Sequence, residues 1–350
     1  MSDYNITEIR PDDSQANGQL DALLKSESIR RDAHLDYSCG IFDENQELIA
    51  TGSCFRNTLR CMAVRGDRRG EALMNDIITH LNEIQLFRGN THIFLYTKNE
   101  SAGFFSSLGF YEIVRIPGEI VFMENKRNGF SDYLKKLQDE SIKTDGRTAS
   151  IVMNANPFTL GHLALVEKAS SENELVHLFI VSEDLSLVPY PVRLKLVKEN
   201  CRKMKNICLH AAGPYIISNA TFPSYFQKDE AAVIRSHALL DTEVFVKIAN
   251  ALHITSRYVG EEPRSLVTGI YNDVLKEKLP ENGVQCTVIP RKRTDKGEII
   301  SASTVRTLIK NGDLSALRPL VPPATADYFF SPEAGPVIQR IKNSQDVIHY

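Results

Sequence analysis

Between residues 148 and 311 the chain alternates short, almost wholly apolar runs with helical patterns, and that alternation leaves few folds open. The runs are TASIVMN (148–154), LVHLFIVS (175–182), NICLHAA (206–212), SRYVGE (256–261) and VQCTVIP (284–290). Helical patterns occupy 161–172, 191–204, 229–252, 266–279 and 302–311. A strand with little polar alternation is apolar on both faces, so it belongs in a sheet covered on both sides. Repeated strand–helix units give that sheet parallel order. The pattern therefore predicts an α/β domain whose ligand sits beyond the carboxyl ends of the strands, where strand order reverses.

The first part of the chain reads differently. Strand patterns at 39–43, 48–55, 58–64, 91–97, 110–116 and 120–124 surround two helical ones. The longer helix carries Leu73, Ile77, Leu81 and Ile84 on one stripe, and the shorter, ESAGFFSSL, ends at Gly109. Between the halves lies a polar stretch, Glu124 to Arg147, whose middle (FSDYLKKL) has helical character and whose flanks read as linker. The expected organisation is an α+β domain over 1–125, a linker over 126–146 and the α/β domain over 147–350.

Composition narrows the function classes. A length of 350 residues suits two cores, and 42% hydrophobic with 24% charged residues is ordinary for a globular protein. A formal charge of −3 gives no reason to expect nucleic acid or an anionic membrane as partner. No apolar run approaches the roughly 20 residues of a bilayer span, and the polar start MSDYNITEIRPDDS lacks a signal-peptide core, so a cytoplasmic location is expected. Cys39, Cys54, Cys61, Cys201, Cys208 and Cys286 form no C-x-x-C pair and have no histidine cluster at ligand spacing, so free, mostly buried thiols and no side-chain metal site are expected.

Two strand ends carry chemistry. After the first strand of the second half comes Asn154-Ala155-Asn156-Pro157-Phe158-Thr159-Leu160-Gly161-His162, and a helix begins at once. Amides and the positive end of that helix suit a phosphate, Gly161 admits a ligand close to the backbone, and His162 reaches an α-phosphate oxygen. After the last strand, Ile300-Ser301-Ala302-Ser303-Thr304-Val305-Arg306 opens another helix, with Ser301 as cap and Arg306 as a forked cation. Either motif alone is also an ordinary capped turn.

Together they resemble the paired signatures of the nucleotidylyltransferase superfamily, H/T-x-G-H after the first strand and I-S-x-S/T-x-x-R after the last. The resemblance implies a Rossmann-like fold that grips the triphosphate of ATP with Mg²⁺ and lets a nucleophile displace pyrophosphate from the α-phosphorus. By it, His162 stabilises charge at the α-phosphate, Thr159 supplies a hydroxyl where many members have histidine, and Ser303 and Arg306 hold the β- and γ-phosphates, with Asn156, Phe158, Gly161 and Ser301 around them.

Longer strings are similar to those of the citrate lyase ligase family: VPYPVRLKLVKEN (188–200), GPYIISNATFPSYFQKDE (213–230), RYVGEEP (257–263), VTGIYN (267–272) and IPRK (289–292). That resemblance implies an acid–thiol ligase. Acetate and ATP give acetyl-AMP and pyrophosphate, and the acetyl group passes to the thiol of the dephospho-CoA-derived prosthetic group on the citrate lyase acyl-carrier subunit. Arg193 and Lys195 are candidate triphosphate cations or else solvated helix charges. Tyr215, Phe222 and Tyr225 are candidate walls of an acetate pocket or else core aromatics, and Gly260 ends a strand near the expected adenosine.

In the first half, Arg65-Gly66-Asp67-Arg68-Arg69-Gly70-Glu71-Ala72 resembles the diphosphate loop of GCN5-related (GNAT) acetyltransferases, or is a solvated basic turn. Phe105 stands where that family has its acid tyrosine, so a module that binds a CoA-like arm through Arg65, Arg68, Arg69 and Gly70 without catalysing is expected. Two other readings stay open: a nucleotidyltransferase acting on a phosphorylated metabolite such as pantetheine phosphate, and a regulator without catalysis.

Overall fold

The apolar runs of the second half pair as one five-stranded sheet in the computed structural model, which describes residues 4–32, 34–182, 186–216, 230–261 and 266–347. Two compact units emerge. One is built on the residues up to Ser131 with the first part of a long helix, Glu230–Ala251, and the other on those from Asp132 with the rest of that helix. The expected classes hold: a mixed sheet with helices in the first unit and a parallel α/β sheet in the second.

The first unit comprises β1 (Ile6–Glu8), α1 (Ser14–Ser26), β2 (Tyr37–Phe42), β3 (Leu48–Phe55), β4 (Thr58–Val64), α2 (Leu73–Phe87), β5 (Phe94–Thr97), α3 (Ala102–Ser107), β6 (Tyr111–Ile116) and β7 (Ile120–Glu124). Its sheet runs β1-β2-β3-β4-β5-β7-β6. Neighbours are antiparallel except β4 and β5, which are parallel and pair only at Thr58–Phe94 and Leu59–Leu95. Helix α2 buries Leu73, Ile77, Ile78 and Leu81 against that sheet; Gln85 replaces the expected Ile84 because its amide reaches the Arg56 carbonyl at 2.6 Å. Beyond the short ladder β4 and β5 diverge, and a cavity of about 700 Å³ opens there, lined by Met62, Val64, Tyr96, Thr97, Phe104 and Phe105 among others.

The stretch expected as a linker contains a helix, α4 (Gly129–Glu140). The second unit continues with β8 (Thr148–Met153), α5 (Leu160–Glu172), β9 (Leu175–Ile180), α6 (Tyr190–Cys201), β10 (Ile207–Ala211), α7 (Glu230–Ala251), β11 (Ser256–Gly260), α8 (Leu266–Glu281), β12 (Gln285–Ile289), α9 (Ala302–Asn311), α10 (Pro323–Phe330) and α11 (Gly335–Asn343). All strand pairs are parallel, in the order β10-β9-β8-β11-β12. One face packs Ala149, Ile151 and Met153 of β8 with Val176, Leu178 and Ile180 of β9 into a core that also takes Val305 and Ile309 of α9. Order reverses between β8 and β11, whose ladder is confined to Ala149–Ile151 against Ser256–Tyr258. Past those residues the two strand ends part, which is the crevice the fold offers a ligand.

Candidate functional site

Thr159 caps α5 from an extended backbone, its hydroxyl accepting the His162 N–H at 3.3 Å. The His162 ring reaches back, and its Nδ1 accepts the Thr159 backbone N–H at 3.1 Å, which closes a reciprocal capping box. A backbone N–H can only donate, so Nδ1 must carry a lone pair and the single proton of the neutral ring sits on Nε2. Burial, and then the positive charges of Arg291 and Arg306, push the imidazolium down to about 4. His162 is thus a neutral imidazole with a fixed tautomer and an N–H to donate. Phe158, fully buried, lies under the ring at 5.7 Å between centroids.

The last strand's motif comes to the same place. Ser301 caps α9 by accepting the Thr304 N–H at 3.1 Å, and its Oγ lies 2.9 Å from that of Ser303. A Cβ built on Gly161 would stand 3.4 Å from the Ile300 carbonyl, so α5 and the segment leading into α9 touch through a glycine. Arg306, 2% exposed, donates from Nη1 to the Asn156 carbonyl at 2.5 Å and from Nε to that of Val347 at 2.7 Å. Burial pushes its guanidinium down to about 10, against the pull of Asp346.

Asn156 shows a different kind of commitment. Its Oδ1 accepts the Val188 N–H at 2.9 Å, while its Nδ2, buried, has no hydrogen-bond partner among the described residues. A buried donor left unmade is costly, so a ligand acceptor at that point fits it. Ala155 just before it holds a left-handed φ of 54°. Gly260 ends β11 with its carbonyl accepting Asn272 Nδ2 at 3.1 Å, and a Cβ there would meet no described atom.

Several expected contacts have other duties. The Arg193 guanidinium is fully buried and donates to the carbonyls of Val188 (3.0 Å), Asn154 (2.8 Å) and Val181 (2.8 Å), so it ties loop backbones together. Lys195 is exposed and pairs with Glu333 at 2.8 Å. Arg306 holds the Asn156 loop, Phe158 backs the imidazole, and the Thr159 hydroxyl serves the capping box, so each has a positioning role at the site. Tyr215 is buried against Tyr133 (4.8 Å between ring centroids), whereas Phe222 and Tyr225 lie outside the described residues. Sequence reasoning missed Arg291, which donates to the Glu261 carbonyl at 2.8 Å and bears on His162 electrostatically. Its only trace in the sequence is the IPRK string.

In the first unit, Arg68, Arg69 and Gly70 line the cavity; Arg65 is not among its lining residues. Each arginine has a carboxylate: Arg65 on Asp67 (2.7 Å), Arg68 on Glu71 (3.3 Å), Arg69 on Glu27, with Asp43 near the first two. Gly70 (φ 99°) and Ala72 (φ 58°) turn the loop into α2.

Residues 148–329 match the family described as citrate lyase ligase C-terminal domain. The citrate (pro-3S)-lyase ligase of Klebsiella pneumoniae is 36% identical over 314 residues, covering 88% of this chain and 91% of its own. That of Haemophilus influenzae is 35% identical over 316 residues, covering 88% and 93%. A solved GNAT-family acetyltransferase from Staphylococcus aureus aligns with 35% of this chain and 99% of its own at 16% identity and a TM-score of 0.29.

Proposed function

Because the chain belongs to the citrate lyase ligase family, we propose that it acetylates the thiol form of citrate lyase at the expense of ATP, yielding AMP and pyrophosphate. In this reading an acetate oxygen bonds to the α-phosphorus as the bond to the β-phosphate oxygen breaks, giving acetyl-AMP. The thiolate of the acyl-carrier subunit's prosthetic group then attacks the acyl carbon and AMP leaves. Mg²⁺ bound with the nucleotide would neutralise part of the triphosphate charge.

The chain's own residues orient the phosphates. His162 Nε2–H donates to an α-phosphate oxygen, where negative charge grows as the leaving group departs. The neutral ring suits this task, since the proton is held for bonding and not for transfer. The backbone N–H groups of Gly161 at the start of α5 and of Ala302 and Ser303 at the start of α9 supply further donors, and Asn156 Nδ2 adds one more. The carrying observation is the joining of the two motifs through Arg306 and Asn156 beside His162. Tyr215 remains a candidate neighbour of the acetate site.

The cavity between β4 and β5 is the proposed dock for the carrier's CoA-like arm. Diverging parallel strands offer unpaired backbone to an extended chain of amides, and Phe105 in its wall can neither give nor take a proton. The experiment is ATP–pyrophosphate exchange with and without acetate, followed by transfer to thiol-form citrate lyase. Exchange that requires acetate is expected; exchange indifferent to acetate, or dependent on a phosphorylated metabolite, would remove this reading.

A further inference from the structure

The spacing of the cysteines in the sequence excluded a metal site, but the parallel ladder of β9 and β10 builds what spacing cannot show. Cys208 stands opposite His177 in that ladder, and His210 follows two residues along the same strand, on the same face. The ligand atoms of all three lie within 4.8 Å of one another, and the residues are 7%, 0% and 1% exposed for Cys208, His177 and His210.

The hydrogen bonds set the ring tautomers. His210 Nδ1 faces a Glu140 carboxylate oxygen at 3.3 Å, so that nitrogen carries the proton and Nε2 has a lone pair. That lone pair points at His177 Nδ1, 2.9 Å away. The arrangement of carboxylate, imidazole and open imidazole nitrogen is the one that orients histidines bound to zinc. His177 Nε2 is buried without a partner among the described residues, so the two rings do not satisfy each other in full. Moving the His177 proton from Nδ1 to Nε2 turns a second lone pair inward, and the metal bonds would have to offset the ring-to-ring hydrogen bond given up. Loss of the Cys208 proton, now shared with the Glu140 carbonyl at 3.2 Å, adds a thiolate.

We infer that His177, Cys208 and His210 form a buried zinc site that ties β9 to β10 at the edge of the sheet. Two imidazoles and a thiolate are a donor set that favours Zn²⁺ over Mg²⁺ or Ca²⁺. Ligand nitrogens 2.9 Å apart must open by about half an ångström, and the two rings must turn from their head-on hydrogen bond, to span an ion with Zn–N bonds near 2.0–2.1 Å. The site lies on strands and a helix whose duty is structural, so it stands whether or not the ligase reading does.

The test uses the full chain, stripped with chelator and titrated with Zn²⁺ and separately with Co²⁺. One equivalent of zinc, and a thiolate-to-cobalt charge-transfer band, are expected in the parent protein; Cys208→Ser should abolish the band, and His177→Gln should lower zinc affinity at least tenfold. Since buried variants can misfold, alkylation of Cys208 in the parent protein is the second measurement: zinc should slow it at least tenfold. Absence of stoichiometric binding, binding undiminished in both variants, or alkylation indifferent to zinc each overturns the site.

Discussion

Arg306 Nη1 lies 2.5 Å from the carbonyl oxygen of Asn156, a residue 150 positions earlier in the chain. Through this one bond the helix after the last strand fixes the loop after the first. Arg306→Lys should therefore fail to rescue, since an ammonium cannot serve the Asn156 and Val347 carbonyls in the same fixed fork. Loss of about 3 kcal/mol of stability is expected for Arg306→Gln, with exchange activity down at least a hundredfold. Urea unfolding and acetate-dependent exchange check both; a fully active lysine variant would refute the fork.

His162→Gln should lower exchange roughly a hundredfold to a thousandfold while leaving the circular dichroism spectrum unchanged. With an imidazole that titrates near 4, the parent enzyme's rate should show no inflection from His162 between pH 6 and 9. A rate that collapses on raising the pH through 6.5 would mean that the charged ring is the active one.

The same ring makes folding acid-sensitive. Its proton affinity is lower folded (about 4) than unfolded (6.5), so the unfolded chain takes up the extra proton in that window. Stability from this source is complete above pH 6.5 and falls as the pH drops toward 4, by roughly 3 kcal/mol. Denaturant melts at pH 7 and pH 4.5 should show a smaller loss in His162→Gln than in the parent.

Asn156→Asp keeps the oxygen that accepts the Val188 N–H and removes the donor, adding a negative charge beside the phosphates. The expected result is a KM for ATP raised at least tenfold in a protein that remains folded, with a lower melting temperature from the buried charge. An unchanged KM would show that Nδ2 faces no ligand.

Arg193 and Lys195, two residues apart, should separate cleanly. Arg193→Met leaves three carbonyls without their donor and should cost about 3 kcal/mol. Lys195→Met breaks an exposed pair with Glu333, and ATP kinetics and melting temperature should both stay as they are. A large rise in KM for Lys195→Met would return that ammonium to the phosphates.

Arg68→Glu addresses the arm. Transfer from preformed acetyl-AMP to the carrier should fall at least fivefold, while acetate-dependent exchange should not change. Normal transfer in a folded variant would remove the cavity from the pathway.

Much of this was legible in the residues themselves. Five strands announce themselves because burial on both faces admits few polar positions, and Ser301 and Gly109 mark helix ends through local chemistry. The roles of arginines were not legible. A guanidinium reads the same in sequence whether it meets a phosphate or, like Arg193, a carbonyl, and only burial distinguishes the two. His177 and Cys208 are brought side by side by strand register, which no spacing rule within one strand contains. The helices α10 and α11 escaped notice because each is short and carries proline in its first turn.

The clasp at the far end of the second unit has a bearing on how the protein is made. Arg306 takes the Val347 carbonyl, and Lys310 Nζ takes that of Ser344 at 2.7 Å. A ribosome must have translated some forty codons past Arg306, and released them from its tunnel, before that guanidinium can find its second acceptor. The crevice beside Arg306 is therefore completed only after this segment has emerged, and a change that displaces Ser344 or Val347 would disturb it from outside.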